Sequence, residues 1–332
     1  MLSKLSIKQK LILIMLIPLI VVILLAAKLA IDSFSTSKNL RALDRVVILS
    51  TKIGALVHEA QKERGMTAGF LGSSGEKFKV ELPAQRLNVD EKLKELNTLL
   101  NTFNKNEYSS EFLENLNLSL KKIEDLNNTR NGVNSLSLNA GIAIGYYTDL
   151  NKLLLNVIGS ITKLSNSATV SQQLVSYMNF LLSKERAGVE RAVGTNTFAK
   201  DSFGEGMKAK FYTLIAEQNA YMDSFLKVSD SKVVEFYKTN LKGDSVDEVE
   251  RIRKIALYSD IETNFEVDAN HWFKEITEKI NLLKKVEDYI SQTLIITIND
   301  EMSDSNQNMI IFGLLSILGI ALTMILARTI AF

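Results

Sequence analysis

The sequence predicts an all-α protein: long up-and-down helical bundles, two of them stacked or nested, set between two transmembrane helices. Three observations carry this reading. Only two prolines occur in 332 residues, and the long stretches are rich in Leu, Lys, Glu, Asn and Ser, the composition of helices rather than sheets. Apolar positions such as Leu49, Ile53, Leu56, Val57 and Ala60 fall at helical spacing. An uninterrupted apolar run lies near each end of the chain.

The elements follow in order. Residues 1–10 form a tail carrying Lys4, Lys8 and Lys10, and residues 11–30 the first span. Its apolar core, residues 11–27, is bracketed by Lys10 and Lys28 and approaches the roughly 20 residues a membrane crossing needs. Pro18 is tolerated in a lipid-embedded helix. The run exceeds the apolar stretch of about 7 to 15 residues of a cleaved signal, so an anchor is expected. Residues 309–327 form the second span, followed at once by Arg328 and a stub over 328–332. The basic residues before the first span and after the second place both ends in the cytoplasm. Residues 31–308 are then an extracytoplasmic segment, and the chain is expected to be a two-pass membrane protein.

Within that segment a first amphipathic helix continues out of the membrane to about residue 70. A second covers about 77 to 103, with Pro83 near its start. A third runs about 109 to 127, a fourth about 138 to 166 and a fifth about 169 to 200, with the Asn- and Ser-rich run 127–139 as punctuation. A turn over 200–206 precedes a sixth helix at about 207 to 228, shorter ones follow at about 231 to 240 and 246 to 259, and the last runs from about 269 into the second span. The fifth helix has two apolar faces, one with Leu174, Met178, Leu182, Val189 and Val193, the other with Phe180, Ala187 and Phe198. One bundle covers one face, so a side-by-side homodimer is expected.

Composition excludes several function classes. A formal charge of +1 gives no basic surface for a nucleic acid. Cysteine is absent, and His58 and His271 lack metal-ligand spacing, so no metal site is expected. No nucleophile with its base and no paired acid and base stand out, so neither catalytic residues nor a cofactor are expected.

The residues that depart from packing are arginines. Continuing the stripe of the first helix by four, then three and four, lands on Arg64, Thr67 and Leu71. A guanidinium in an apolar seam keeps its charge, and so requires an anion or a wet cavity. Gly65 and Gly69 beside it each cost about 1 kcal/mol in a helix, sensible where another backbone or a ligand comes close. The order Glu63-Arg64-Gly65-Met66-Thr67 recurs as Glu190-Arg191-Ala192-Val193-Gly194, with Arg191 127 residues after Arg64. Lys184-Glu185-Arg186-Ala187 echoes Lys62-Glu63-Arg64-Gly65 at a separation of 122. Arg191 and Arg186 are therefore both candidates to partner Arg64, and the helical wheel leaves the choice open. Gly65 and Thr67 beside one arginine, and Gly194 and Thr195 beside the other, are candidates to supply donors or room.

These windows, with Gln85-Arg86, Tyr146-Tyr147-Thr148, Leu153-Leu154, Ala187-Gly188-Val189-Glu190-Arg191-Ala192 and Trp272, resemble the nitrate- and nitrite-sensing domain over about residues 40 to 300. That resemblance implies a helical-bundle sensor holding nitrate or nitrite between arginines on facing helices, as in the periplasmic part of methyl-accepting chemotaxis receptors. It assigns the pair to Arg64 and Arg191. It also implies a cytoplasmic signalling module or partner not contained in this sequence, which ends shortly after Arg328. Two other readings stay open: a helical sensor of another small anion such as an organic acid, and a structural or partner-binding membrane protein whose arginines pair with Glu63, Glu185 or Glu190.

Overall fold

The computed structural model describes residues 7–104, 108–161, 165, 167–258 and 264–331. Every regular element among them is a helix: α1 (Ile7–Gly72), α2 (Glu81–Leu100), α3 (Ser110–Glu124), α4 (Leu126–Asn134), α5 (Ala140–Ile161), α6 (Ala168–Lys200), α7 (Met207–Val228), α8 (Ser231–Asn240), α9 (Asp244–Tyr258) and α10 (Ala269–Ala331). They divide into two compact units, residues 1–44 with 296–332, and residues 45–295.

The smaller unit holds the first part of α1 and the last part of α10. Gly319 lets the two helices approach closely, since a Cβ there would lie 2.7 Å from Ile23 Cγ1. Ser37 Oγ donates to Asn306 Oδ1 at 2.6 Å. The hydroxyls of Ser316 and Thr323 bond carbonyls of their own helix. Large aliphatic side chains face outward, Leu24 and Leu318 each 64% exposed, and both helices are long and apolar enough to cross a membrane.

The larger unit repeats one plan twice. In the first half, residues 45–72 of α1 pack with α2, the broken pair α3–α4 and the closing α5: Gln85 Nε2 donates to Glu59 O (3.0 Å), and Tyr146 Oη to Lys122 O (2.9 Å). In the second half α6 packs with α7, the broken pair α8–α9 and the first part of α10: Ser183 Oγ donates to Gln218 O (3.0 Å), and Phe236 stacks on Tyr289 with centroids 4.0 Å apart. These are the two bundles of the up-and-down pattern. Helix starts are capped where polar residues stand in sequence: Ser109 accepts from Phe112 N, Ser167 from Val170 N, and Asp268 from Asn270 and His271 N. After α1, Gly75 turns back with φ +90° and donates to Phe70 O, a backbone shape glycine takes without strain.

Two expectations are corrected. The run 127–139 is not mere punctuation, because α4 occupies most of it. Leu126, Thr129, Arg130 and Val133 are buried at helical spacing while Asn127, Asn128, Asn131 and Asn134 face solvent, so the asparagines hid the period. Helix α6 is buried on both apolar faces by this chain's own helices, Leu174, Phe180, Ala187, Val193 and Phe198 included, so its pattern no longer calls for a second copy. The last residues of the helix expected to reach 166 lie in part outside the described residues.

Candidate functional site

The two Glu-Arg windows lie at equivalent places in the two halves, Glu63-Arg64 on α1 and Glu190-Arg191 on α6, and all four side chains are fully buried. Each glutamate is gripped by an arginine from its own half. Arg130 on α4 donates through Nε and Nη2 to the two oxygens of Glu63, both at 2.8 Å, and Tyr147 Oη adds a bond of 2.6 Å. Arg253 on α9 donates through the same two atoms to Glu190, both at 2.6 Å, with Gln218 Nε2 at 2.7 Å. Burial by itself raises the Glu190 carboxyl, but the charge and hydrogen bonds of Arg253, with Lys279 and Gln218, together outweigh it and leave it below its ordinary value. Both glutamates are thus satisfied without their neighbouring arginines.

Arg64 and Arg191 are held differently. Arg64 Nη1 donates to Glu185 Oε1 (2.6 Å) and Thr148 Oγ1 (3.1 Å). Arg191 Nη1 donates to Thr277 Oγ1 (3.0 Å), and its guanidinium lies over Phe273, 5.1 Å from the ring centroid. In both, Nε and Nη2 are buried and find no hydrogen-bond partner among the described residues. That is the edge with which Arg130 and Arg253 seize a carboxylate, so two planar two-donor forks are prepared for an acceptor the chain does not supply.

The arginines reach across to each other's helix. A Cβ on Gly188 of α6 would lie 2.8 Å from Arg64 Nη2, and one on Gly65 of α1 would lie 3.2 Å from Arg191 Nε. Their mutual repulsion is felt: burial first, then the Arg64 charge, pulls Arg191 from its ordinary value down to about 9. A bound anion reverses that penalty. Nearby His58 is held well below its ordinary value by burial and then by Lys184, so it stays uncharged.

Of the expected site residues, Arg64, Arg191 and Gly65 come together. Thr67 is buried beside them with its hydroxyl unpartnered. Gly194 serves packing, because a Cβ there would lie 2.5 Å from Trp272 Nε1, which donates to Arg191 O at 3.1 Å. Thr195 Oγ1 also donates to Arg191 O, at 2.7 Å. Arg186 turns away: its side chain is 27% exposed, pairs with Glu217 and lies over Tyr221. Sequence reasoning missed Arg130, Arg253, Thr148 and Thr277 as supports. The equivalent positions of Arg130 and Arg253, one per half, offered a signal, since they recur at nearly the spacing of Glu63 and Glu190.

Similarity to known proteins extends over most of the chain. A nitrate regulatory protein of Klebsiella oxytoca is 24% identical over 253 residues, 76% of this chain. The match takes in 63% of that relative's length, so this chain spans less than two thirds of it. Among solved structures, the NasR transcription antiterminator matches with a TM-score of 0.73 at 22% identity, over 86% of this chain and 83% of its own, a likeness of fold. The family model described as nitrate and nitrite sensing, NIT, matches residues 55–295, which takes in both arginine windows and all their supports. The chain therefore belongs to the nitrate- and nitrite-sensing family.

Proposed function

We propose that the chain is a two-pass membrane receptor that binds nitrate or nitrite between Arg64 and Arg191, a binding protein rather than an enzyme. The observation that carries this is the pair of buried guanidiniums whose Nε–Nη2 edges have no acceptor among the described residues. Nitrate and nitrite are small planar monoanions with oxygens spaced to accept from such edges. Binding replaces cation–cation repulsion with two charge-assisted grips in a site of low dielectric. Arg64 lies on α1, and the contacts of Arg191 with Thr277, Phe273 and Trp272 are to α10. These are the two helices that carry the apolar spans. A shift of one against the other on binding is the transmitted signal. A chemotaxis-type output, through a cytoplasmic module carried outside this sequence, completes the reading. The regulatory names of the relatives favour a signalling role.

Calorimetry of the full chain in detergent micelles, titrated with nitrate, nitrite, acetate and chloride, tests it. Nitrate or nitrite should bind with micromolar affinity, about −8 kcal/mol, and the other two far more weakly. No heat and no shift in melting temperature up to millimolar nitrate would overturn the proposal; preference for acetate would transfer the site to organic acids.

A further inference from the structure

The buried charges around the arginine pair leave an imbalance of fixed size. Glu63 and Asp90 are matched by Arg130 and Arg86, Glu190 by Arg253, and Glu287 by Lys184 at 2.5 Å, with Lys284 shared between Glu287 and the exposed Asp288. Glu59, near the site, pairs with Lys62, and Lys279 with Glu250. Of the remaining two, Arg64 pairs with Glu185, and Arg191 has no ion pair among the described residues. The Glu185 side chain is almost wholly buried and held on every side: Oε1 accepts from Arg64, and Oε2 from Gln61 Nε2 at 2.5 Å and Asn151 Nδ2 at 3.4 Å. Two guanidiniums against one carboxylate leave a single uncompensated positive charge.

Glu185 also borders a cleft. This cleft of about 500 Å3, whose charged lining is mixed, Lys152, Lys210 and Arg186 with Asp149 and Glu217, has Thr148 and Glu185 in its wall. Those two residues are the partners of Arg64 Nη1.

We propose that Glu185 is a specificity-determining residue, a resident counter-anion that leaves the arginine pair one positive charge and so confines the site to monoanions. The proposal rests on the reading of Arg64 and Arg191 as the anion site. A monoanion neutralises the buried set. A dianion leaves a net negative charge beside Glu185 in a medium where charge is costly to bury. Fork geometry by itself makes no such distinction, since Arg edges bind carboxylate and phosphate alike.

The test separates charge from shape with two tetrahedral oxyanions of similar size, perchlorate and sulfate, titrated beside nitrate into the full chain in micelles. The parent should bind nitrate and perchlorate and exclude sulfate. Glu185→Gln, which removes the charge and keeps the shape, should bind nitrate about tenfold tighter or more and acquire sulfate binding. Equal exclusion of perchlorate and sulfate by the parent, or equal acceptance, overturns the proposal whether or not the variant folds. A folded Glu185→Gln protein, judged by circular dichroism, overturns it if nitrate affinity is unchanged and sulfate still excluded. The same follows if the variant has lost nitrate, for Glu185 would then serve to position Arg64. A parent that binds no anion at all sinks the underlying reading, and this proposal with it.

Discussion

Replacing the arginines one at a time by lysine tests the fork geometry while keeping charge. Arg64 and Arg191 each present two N–H donors on one edge, Nε and Nη2, fixed in direction by the Nη1 bonds to Thr148 and Thr277. Lysine supplies a point donor on a flexible stem. Losing one of a pair of charge-assisted hydrogen bonds costs about 1.5 to 3 kcal/mol, roughly ten- to a hundredfold in affinity. The loss should be larger at 191, where burial and the Arg64 charge already pull the guanidinium down to about 9. Lysine starts from a lower ordinary pKa, so in that place part of the population is uncharged at neutral pH. Arg186→Lys should be nearly silent, since Arg186 is engaged with Glu217 at the surface. The three variants should be titrated with nitrate side by side, with folding checked by circular dichroism. Loss of binding in Arg186→Lys together with parental affinity in Arg191→Lys would refute the assignment, and normal binding by all three would place the anion elsewhere.

Other consequences are equally concrete. Gly188→Ala puts a methyl group 2.8 Å from Arg64 Nη2 and 3.0 Å from Gln61 Cδ, and should weaken nitrate binding about tenfold with little change in helicity; unchanged affinity would mean that this edge is not used. Arg130→Met strands Glu63 in the interior and should cost about 3 to 5 kcal/mol in urea denaturation, whereas a loss below about 1 kcal/mol would show that Arg86 and Tyr147 suffice. His58 is held neutral when folded but takes up a proton below about pH 6.5 when unfolded, so protons favour the unfolded state. Stability should therefore fall by about 2 kcal/mol from pH 7 to pH 5, and His58→Gln should flatten that slope; a variant with the parental slope would assign it to other groups.

The all-helical architecture and Arg64 were legible in the sequence because both are matters of period; its partner was not, since the helical wheel admits Arg186 as well as Arg191. An arginine on an apolar stripe is visible wherever the stripe is, and its recurrence 127 residues later marks the second half. What holds the arginines was not legible. Glu63 and Glu190 sit next to Arg64 and Arg191 in sequence, yet consecutive residues on a helix point to different sides, and each glutamate turns toward an arginine of a different helix. Arg130 was further obscured by the asparagines on the solvent face of α4. The two apolar faces of α6 suggested a dimer because periodicity shows that a face is covered but not by which chain. Gly194 and Gly188 look alike in sequence; only the position of Trp272 shows that one makes room for an indole and the other for a guanidinium.

The most direct measurement watches the guanidinium edges themselves. Isotope-labelled arginine in the full chain gives a resolved Nε–H signal for each ordered side chain, and the lysine variants identify those of Arg64 and Arg191. Titration with nitrate should move these two signals together along one binding curve while those of Arg130 and Arg253, already closed on Glu63 and Glu190, stay in place. Nitrate binding detected by calorimetry with the Arg64 and Arg191 signals unmoved would contradict the account.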